Sequence, residues 1–202
     1  MAAPRPSPAV RAANPADREH AVATLAAAFA DDPAMSYLFP DAELRRARLP
    51  RFFDLMWRAG PDIGLTDLAD EGAAVAIWRA PNSWDIPTLR MLRFAVPLLR
   101  TFGLPLARAL ALQSLLEAHH PHAPHWYLAF VGCRPSCQGR GLGGAVIRAR
   151  LARCDAESMP AALETATERN LAVYRALGFE VSGTFDVPDG PRFWTMWRAP
   201  RG

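Results

Sequence analysis

The sequence predicts an α/β domain built on a mixed, mostly antiparallel twisted sheet with helices on both faces. Three observations carry that prediction. An apolar run from Trp126 to Val131 passes through a glycine-rich loop into an amphipathic run from Ala145 to Cys154, which reads as strand, tight loop and helix. Two short apolar runs, Gly64 to Leu68 and Ala73 to Trp78, flank Asp70-Glu71-Gly72, a hairpin signal. A further pair, one beginning at Gly178-Phe179 and one spanning Phe193 to Trp197, flanks the turn residues Val187-Pro188-Asp189-Gly190-Pro191.

Composition narrows the class. At 202 residues, half of them apolar, the chain is long enough for one domain with a sizeable core. We expect a flexible N-terminus over residues 1–8 and a single domain over 9–202, with no internal repeat or linker. The net charge of +3 comes entirely from arginines, since the chain has no lysine. They are scattered, without the basic block of a nucleic-acid arm, so no nucleic-acid partner is expected. Three cysteines, an odd number without a disulfide framework, point to a reducing compartment. Met1 to Pro8 lacks the apolar core of a signal peptide. Arg90, Arg93, Arg100 and Arg108 interrupt the longest apolar stretch, so neither a membrane span nor a membrane partner is expected. The expected location is the cytoplasm.

Taken in order, Ala9 to Ala13 reads as a short first strand. Asn14-Pro15 is a cap with proline at the first helical position, and Val22, Leu25, Ala26 and Phe29 give the following helix an apolar face. Asp31-Asp32-Pro33 ends it. A short helical pattern starts near Met35, and a longer one spans Asp41 to Arg58. The hairpin follows, with Glu71 read as a turn residue. Asn82 to His120 is helical and apolar, and Pro97 and Pro105 must kink or divide it. We read this stretch (about 82–122) as a helical insert that packs on the core and offers a face to an acceptor pocket. His119, His120, His122 and His125 fit no zinc spacing with Cys133 and Cys137, so no metal is expected. They read as solvated loop histidines. His125 to Cys133 is the central strand, and Gly132 within it marks a bulge or a close approach of backbone. Cys154 reads as core. Ala162 to Thr165 is the next strand, and Phe193 to Trp197 a last one that closes the sheet.

The chemistry sits in the loop Gln138-Gly139-Arg140-Gly141-Leu142-Gly143-Gly144. Its glycines permit unusual backbone angles and close approach of a ligand. Successive amides opening a helix form an anion site, and Arg140 adds a fork of donors suited to phosphate. We read it as a pyrophosphate cradle. A P-loop would need Gly-Lys-Ser/Thr, which a chain without lysine cannot supply. Gly139, Gly141 and Gly144 match the dinucleotide-binding G-x-G-x-x-G, with Glu164 about 20 residues beyond. However, Pro135 and four further residues separate the strand from that first glycine, and fewer than 60 residues follow Gly144. The context therefore disfavours a NAD(P) module.

Gln138-Gly139-Arg140-Gly141-Leu142-Gly143 resembles the Q/R-x-x-G-x-G/A segment of the GCN5-related N-acetyltransferase (GNAT) superfamily. Asn170-Leu171-Ala172-Val173-Tyr174-Arg175-Ala176-Leu177-Gly178-Phe179 resembles its closing segment. Within the superfamily the chain is most similar to puromycin N-acetyltransferase-like members. Thr24 to Asp31, Asp70 to Ala76, Leu163-Glu164-Thr165 and Pro188 to Arg192 carry that likeness, which is weakest from Pro81 to Pro124.

The resemblance implies a sheet split near its middle and acetyl-CoA as cosubstrate. The pantetheine arm would pair with the main chain of the central strand at Val131, Gly132 and Cys133, a mode that asks little of the side chains. The pyrophosphate would lie on Gln138, Gly139, Arg140, Gly141, Leu142, Gly143 and Gly144, with Asn170 and Tyr174 beside the coenzyme. Tyr174, four residues after Asn170 and so on the same helix face, is the expected general acid toward the departing thiolate. Glu164 is the candidate base, directly or through water, and a structural or substrate-orienting Glu164 is the alternative. Asp31 and Asp32 fall where an acceptor contact is expected. The function implied is direct acetyl transfer to a small-molecule amine, an aminonucleoside or another antibiotic-like amine, by a monomer or homodimer. A non-catalytic acyl-CoA-binding or sensing protein and a protein N-acetyltransferase are the alternatives.

Overall fold

The computed structural model describes residues 8–59, 65–83, 95–103 and 105–201. Most of the expected flexible N-terminus, the start of the strand expected at Gly64 and the early part of the insert lie outside the described residues. Seven strands are β1 (Val10–Ala12), β2 (Thr66–Ala69), β3 (Ala74–Arg79), β4 (Trp126–Cys133), β5 (Ala161–Thr165), β6 (Glu180–Asp186) and β7 (Arg192–Arg198). The helices are α1 (Arg18–Ala28), α2 (Pro33–Leu38), α3 (Ala42–Ala59), α4 (Ala95–Phe102), α5 (Leu106–His119), α6 (Leu142–Ala156) and α7 (Leu171–Ala176).

The strands form one sheet in the order β1-β2-β3-β4-β5-β7-β6. Every neighbouring pair is antiparallel except β4 and β5, which run parallel. The α/β, mostly antiparallel architecture is therefore the one expected. One detail differs: β7 does not close an edge but pairs with β5 on one side and, as a hairpin, with β6 on the other.

The central feature is the β4–β5 pair. It is paired only at Trp126↔Ala161 and Tyr127↔Ala162. Beyond Tyr127, β4 continues to Cys133 on β3 alone, while β5 continues to Thr165 on β7. The two halves of the sheet diverge there and open a split. Apolar clusters cover the two faces. One gathers α6 and α7 with Trp126, Leu128 and Leu163. The other gathers α1, α2, α3 and the insert with Phe102, Phe185 and Phe193.

A bulge decides which β4 side chain faces which cluster. Ile77 pairs with Phe130 but Trp78 pairs with Leu128, so Ala129 is the extra residue. Side chains alternate along a strand, and one inserted residue resets the alternation. Trp126 and Leu128 face α6, Tyr127 and Phe130 face the α1–α3 side, and Val131 returns to the α6 side. The bulge expected near Gly132 thus sits at Ala129. Gly132 is instead the close approach: a Cβ there would stand 2.8 Å from Ala28 Cβ and 3.1 Å from Leu25 Cδ2.

Local signals explain most of the rest. Asn14 accepts from the Ala16 amide at 2.9 Å while Asp17 accepts from the Asn14 amide at 2.8 Å, a reciprocal cap for the turn leading into α1. The β2–β3 turn places Asp70, Glu71 and Gly72 at positive φ, so Glu71 is a turn residue as read. In the insert, Pro97 sits in the first turn of α4, where its missing N–H costs no helical bond, and Pro105 caps the start of α5. Among the described residues, no helix is long and apolar enough to cross a membrane.

Candidate active site

The glycine-rich loop leaves β4 through a short 3₁₀ turn, Pro135–Cys137, and enters α6. Gly139 and Gly141 have φ of +76° and +80°, and a Cβ at either would meet nothing within 4 Å. Their requirement is thus conformational, with open space outside the backbone. Gly141 caps α6 without a side-chain hydrogen bond, and the first main-chain bond of the helix runs from Ala145 N–H to Gly141 O at 3.0 Å. The amides of Leu142, Gly143 and Gly144 therefore precede any intrahelical acceptor and point along the positive end of the helix dipole. Gln138 donates to Cys133 O at 3.4 Å and closes the loop onto the strand end. Arg140, expected on the phosphates, instead pairs with Asp70 on the β2–β3 turn at 3.1 Å and is half exposed.

A cavity of about 770 Å³ runs from this loop through the split. Val131, Gln138, Asn170, Tyr174, Glu164 and Tyr127 are among the residues lining it. Tyr174 is buried and packs edge-on to Phe179, with ring centroids 6.2 Å apart. Burial, and then the carboxylate of Asp32, push its phenol well above the ordinary value, so it stays protonated. Burial likewise raises the thiol of Cys133, with Cys137 adding to it, and both are free thiols. Main-chain groups of β4 from Leu128 to Cys133 have β3 on one side and no strand on the other. An open strand edge, a gap between two half-sheets and a set of unpaired helix amides fit an extended amide-bearing arm ending in a pyrophosphate.

Glu164 follows Leu163 on β5 and points to the opposite face, toward α1, α3 and the insert. Its side chain is 3% exposed. His120 Nδ1 donates to its Oε1 at 3.3 Å, and Oε2 is buried from solvent. Tyr127 lies beside it: burial, then the Glu164 carboxylate and a hydrogen bond to it, hold that phenol well above its ordinary value. Asp32 is committed locally, accepting from the Ala34 and Met35 amides at 2.9 and 3.1 Å and from Thr167 at 3.3 Å. Burial raises its pKa. Asp31 stands in solvent at the rim, 3.9 Å from Arg45.

The histidines correct the sequence reading. His120 and His125 are buried, not solvated, at 6% and 4% exposure. Their rings lie 4.8 Å apart, with Tyr127 edge-on to His120 at 4.9 Å. His125 Nδ1 meets Ala123 O at 2.7 Å; a carbonyl only accepts, so Nδ1 carries the proton. Burial lowers the pKa of His125 and keeps it neutral. His119 stacks on Phe185 at 4.2 Å, and His122 alone is an exposed loop histidine of the kind expected. Sequence reasoning missed His120, Tyr127 and the buried, cavity-lining Arg79 as site residues. The available signal was Tyr127 itself, a phenol inside an otherwise apolar strand two residues after His125. Among the described residues, no group of three His, Cys, Asp or Glu side chains is placed to hold a metal ion.

This geometry, a split sheet with an open central strand edge, recurs in known proteins. Residues 107–179 match the model of the acetyltransferase (GNAT) family. The chain is similar to a crystal structure from Corynebacterium glutamicum described as histone acetyltransferase HPA2 and related acetyltransferase. That likeness is 29% identity over 97% of this chain and 98% of the other, with a TM-score of 0.74. The same fold recurs in arylalkylamine N-acetyltransferase 2 of Aedes aegypti, at 11% identity, 96% and 99% coverage and a TM-score of 0.64. It recurs again in polyamine N-acetyltransferase of Drosophila melanogaster, at 15% identity, 95% and 99% coverage and a TM-score of 0.61. Residues 107–179 thus match the acetyltransferase (GNAT) family, and the chain as a whole is similar in fold to GNAT-type N-acetyltransferases. The family uses acetyl-CoA as donor.

Proposed function

We propose that the protein transfers the acetyl group of acetyl-CoA to the amine of a small molecule by direct attack, with no covalent enzyme intermediate. The observation that carries this reading is the cavity through the β4–β5 split. A raised, protonated Tyr174 lines it from the α7 side, and Glu164 lines it from the opposite face. The pantetheine arm would lie along the β4 edge at Val131, Gly132 and Cys133. The pyrophosphate would take the amides of the Gly139–Gly144 loop. Asn170 would flank the arm.

Glu164 receives a proton from the incoming ammonium and frees its lone pair. The nitrogen attacks the thioester carbonyl, a C–N bond forms, and the C–S bond breaks as Tyr174 gives its proton to the sulfur. The second nitrogen proton returns to the phenolate, leaving an amide and the free coenzyme thiol. A β4 main-chain N–H on the open edge would meet the charge developing on the carbonyl oxygen. His120 Nδ1 and the Tyr127 phenol hold the Glu164 carboxylate in place. The likeness to puromycin N-acetyltransferase-like members supports an antibiotic-like amine, and puromycin belongs in the first panel of acceptors.

Tyr174→Phe tests the assignment. Thiol release from acetyl-CoA should fall about a hundredfold or more, with coenzyme binding and melting temperature retained. Turnover equal to the parent protein's would remove Tyr174 from the chemistry.

A further inference from the structure

The cavity is also walled by residues of the α1–α3 face. Phe29, Phe52, Met56, Leu98, Phe102 and Phe130 line it, contributed by α1, α3, β4 and the insert. The rings form a connected wall: Phe52 is 5.7 Å from Phe130 and 5.9 Å from Phe102, and Phe29 is 5.9 Å from Phe130. Phe29, Met56, Leu98 and Phe130 are only partly buried by the protein and present apolar surface to the cavity.

The charges around this chamber are unequal in availability. Asp32 is occupied by two amides and Thr167. Asp31 and Glu117 are exposed at the rim, the first beside Arg45 and the second accepting from Gln113 at 3.0 Å. The buried carboxylate of the chamber is Glu164, held by His120 at Oε1 and by the Tyr127 phenol. A buried carboxylate is stabilised by one cationic group from a ligand. A second cation farther along the same ligand would lie against phenyl rings and leucines, losing its water without a counter-charge.

We infer that the acceptor is a primary amine with a single positive charge and an aryl or branched-alkyl body. Its nitrogen sits on Glu164 and its body in the chamber walled by Phe29, Phe52, Met56, Leu98, Phe102 and Phe130. This rests on the proposed acetyl transfer and narrows its acceptor. Dications such as agmatine and hydrophilic amino sugars are poor acceptors on this account, because they bury polar or charged groups on the apolar wall.

The test is thiol release at saturating acetyl-CoA with 2-phenylethylamine, isoamylamine, ethanolamine, agmatine, glucosamine and a short lysine peptide. A methylene in an apolar pocket changes kcat/KM by roughly 10- to 200-fold. We therefore expect 2-phenylethylamine to exceed ethanolamine and agmatine by about a hundredfold or more. Met56→Glu places a second carboxylate in the chamber and should shift the ratio toward agmatine by at least about tenfold. Acetyl-CoA binding by calorimetry reports whether that variant is folded; if it is not, Leu98→Glu, on the insert, is read in the same way. A parent protein that prefers agmatine, glucosamine or the peptide overturns the acceptor class and leaves acetyl transfer standing. So does a folded glutamate variant with an unchanged ratio. Coenzyme binding without turnover of either apolar amine also overturns the class. Failure to bind acetyl-CoA would overturn the proposed function, and this inference with it.

Discussion

Arg150→Met is the perturbation that best tests how the coenzyme loop is held. Arg150 lies on α6, the helix that opens with the loop, and meets Asp67 of β2 through two parallel bonds of 2.9 Å. The side chains are 6% and 10% exposed, and the guanidinium also sits 5.3 Å over the Trp126 ring. Methionine fills the aliphatic part of the space but leaves Asp67 buried without its fork of donors. Removing one partner of a buried pair costs about 3–5 kcal/mol. For a chain of this size, about 2–4 °C of melting temperature accompanies each kcal/mol, so a fall of roughly 6–20 °C is expected. Burial already raises the pKa of Asp67 while Arg150 opposes that shift, so the substitution drives it higher. A carboxyl whose folded pKa exceeds its unfolded one binds more protons when folded. The deficit is therefore full near neutral pH and shrinks as the pH falls toward the unfolded carboxylate value. Adding Asp67→Leu removes the stranded charge and should recover most of the loss. Thermal melts of the two variants at pH 5 and 7.5 decide it. A single variant within 2 °C of the parent, or a double variant less stable than the single one, would refute the reasoning.

Two further outcomes follow from close contacts near the site. Gly132→Ala forces a methyl group against Ala28 and Leu25 and should cost about 1–3 kcal/mol by overpacking. Ala28→Gly in the same chain should return part of that in a urea melt, and a destabilisation that Ala28→Gly does not relieve would place the strain elsewhere. His120→Ala frees Glu164 Oε1 and should lower kcat about tenfold, the worth of one charge-assisted hydrogen bond, while KM for acetyl-CoA holds. His120→Asn keeps a donor near Nδ1 and should recover much of that rate; equal losses in the two variants would mean that the hydrogen bond does not matter.

What the sequence made legible is what local chemistry determines. The glycines at 139 and 141, the Asn14 cap, the Asp70–Gly72 turn and the alternating strands all follow from backbone preference or periodicity, and each was placed to within a few residues. The partnership of Asn170 with Tyr174 is a property of one helical turn and was equally readable. The histidines were not. His120 follows α5 and His125 precedes β4, and nothing local says that the chain between them folds so that both rings are buried near Glu164. That burial is a tertiary consequence of the insert packing on α3. The ion pair of Arg140 with Asp70 on the β2–β3 turn was equally hidden, because a pair between distant segments leaves no trace in spacing.

The bulge at Ala129 and the glycine at 132 depend on each other. Without the extra residue, β4 beyond Leu128 would flip, placing Val131 and Cys133 beneath α1 and Gly132 over α6. The space under α1 admits no Cβ, as the 2.8 Å distance from Gly132 to Ala28 shows, so the flipped register would force α1 away from the sheet. That helix leads directly into Asp31 and Asp32 and supplies Phe29 to the chamber wall. The same flip would take Phe130 out of the ring cluster it shares with Phe29, Phe52 and Phe53. One inserted residue thus sets the seat of α1 and puts Tyr127 and Phe130 together on the face that Glu164 also points to. In that register the split has an apolar chamber with a buried carboxylate on one side and the glycine loop with Tyr174 on the other. Amine and thioester can then meet only where the two half-sheets part.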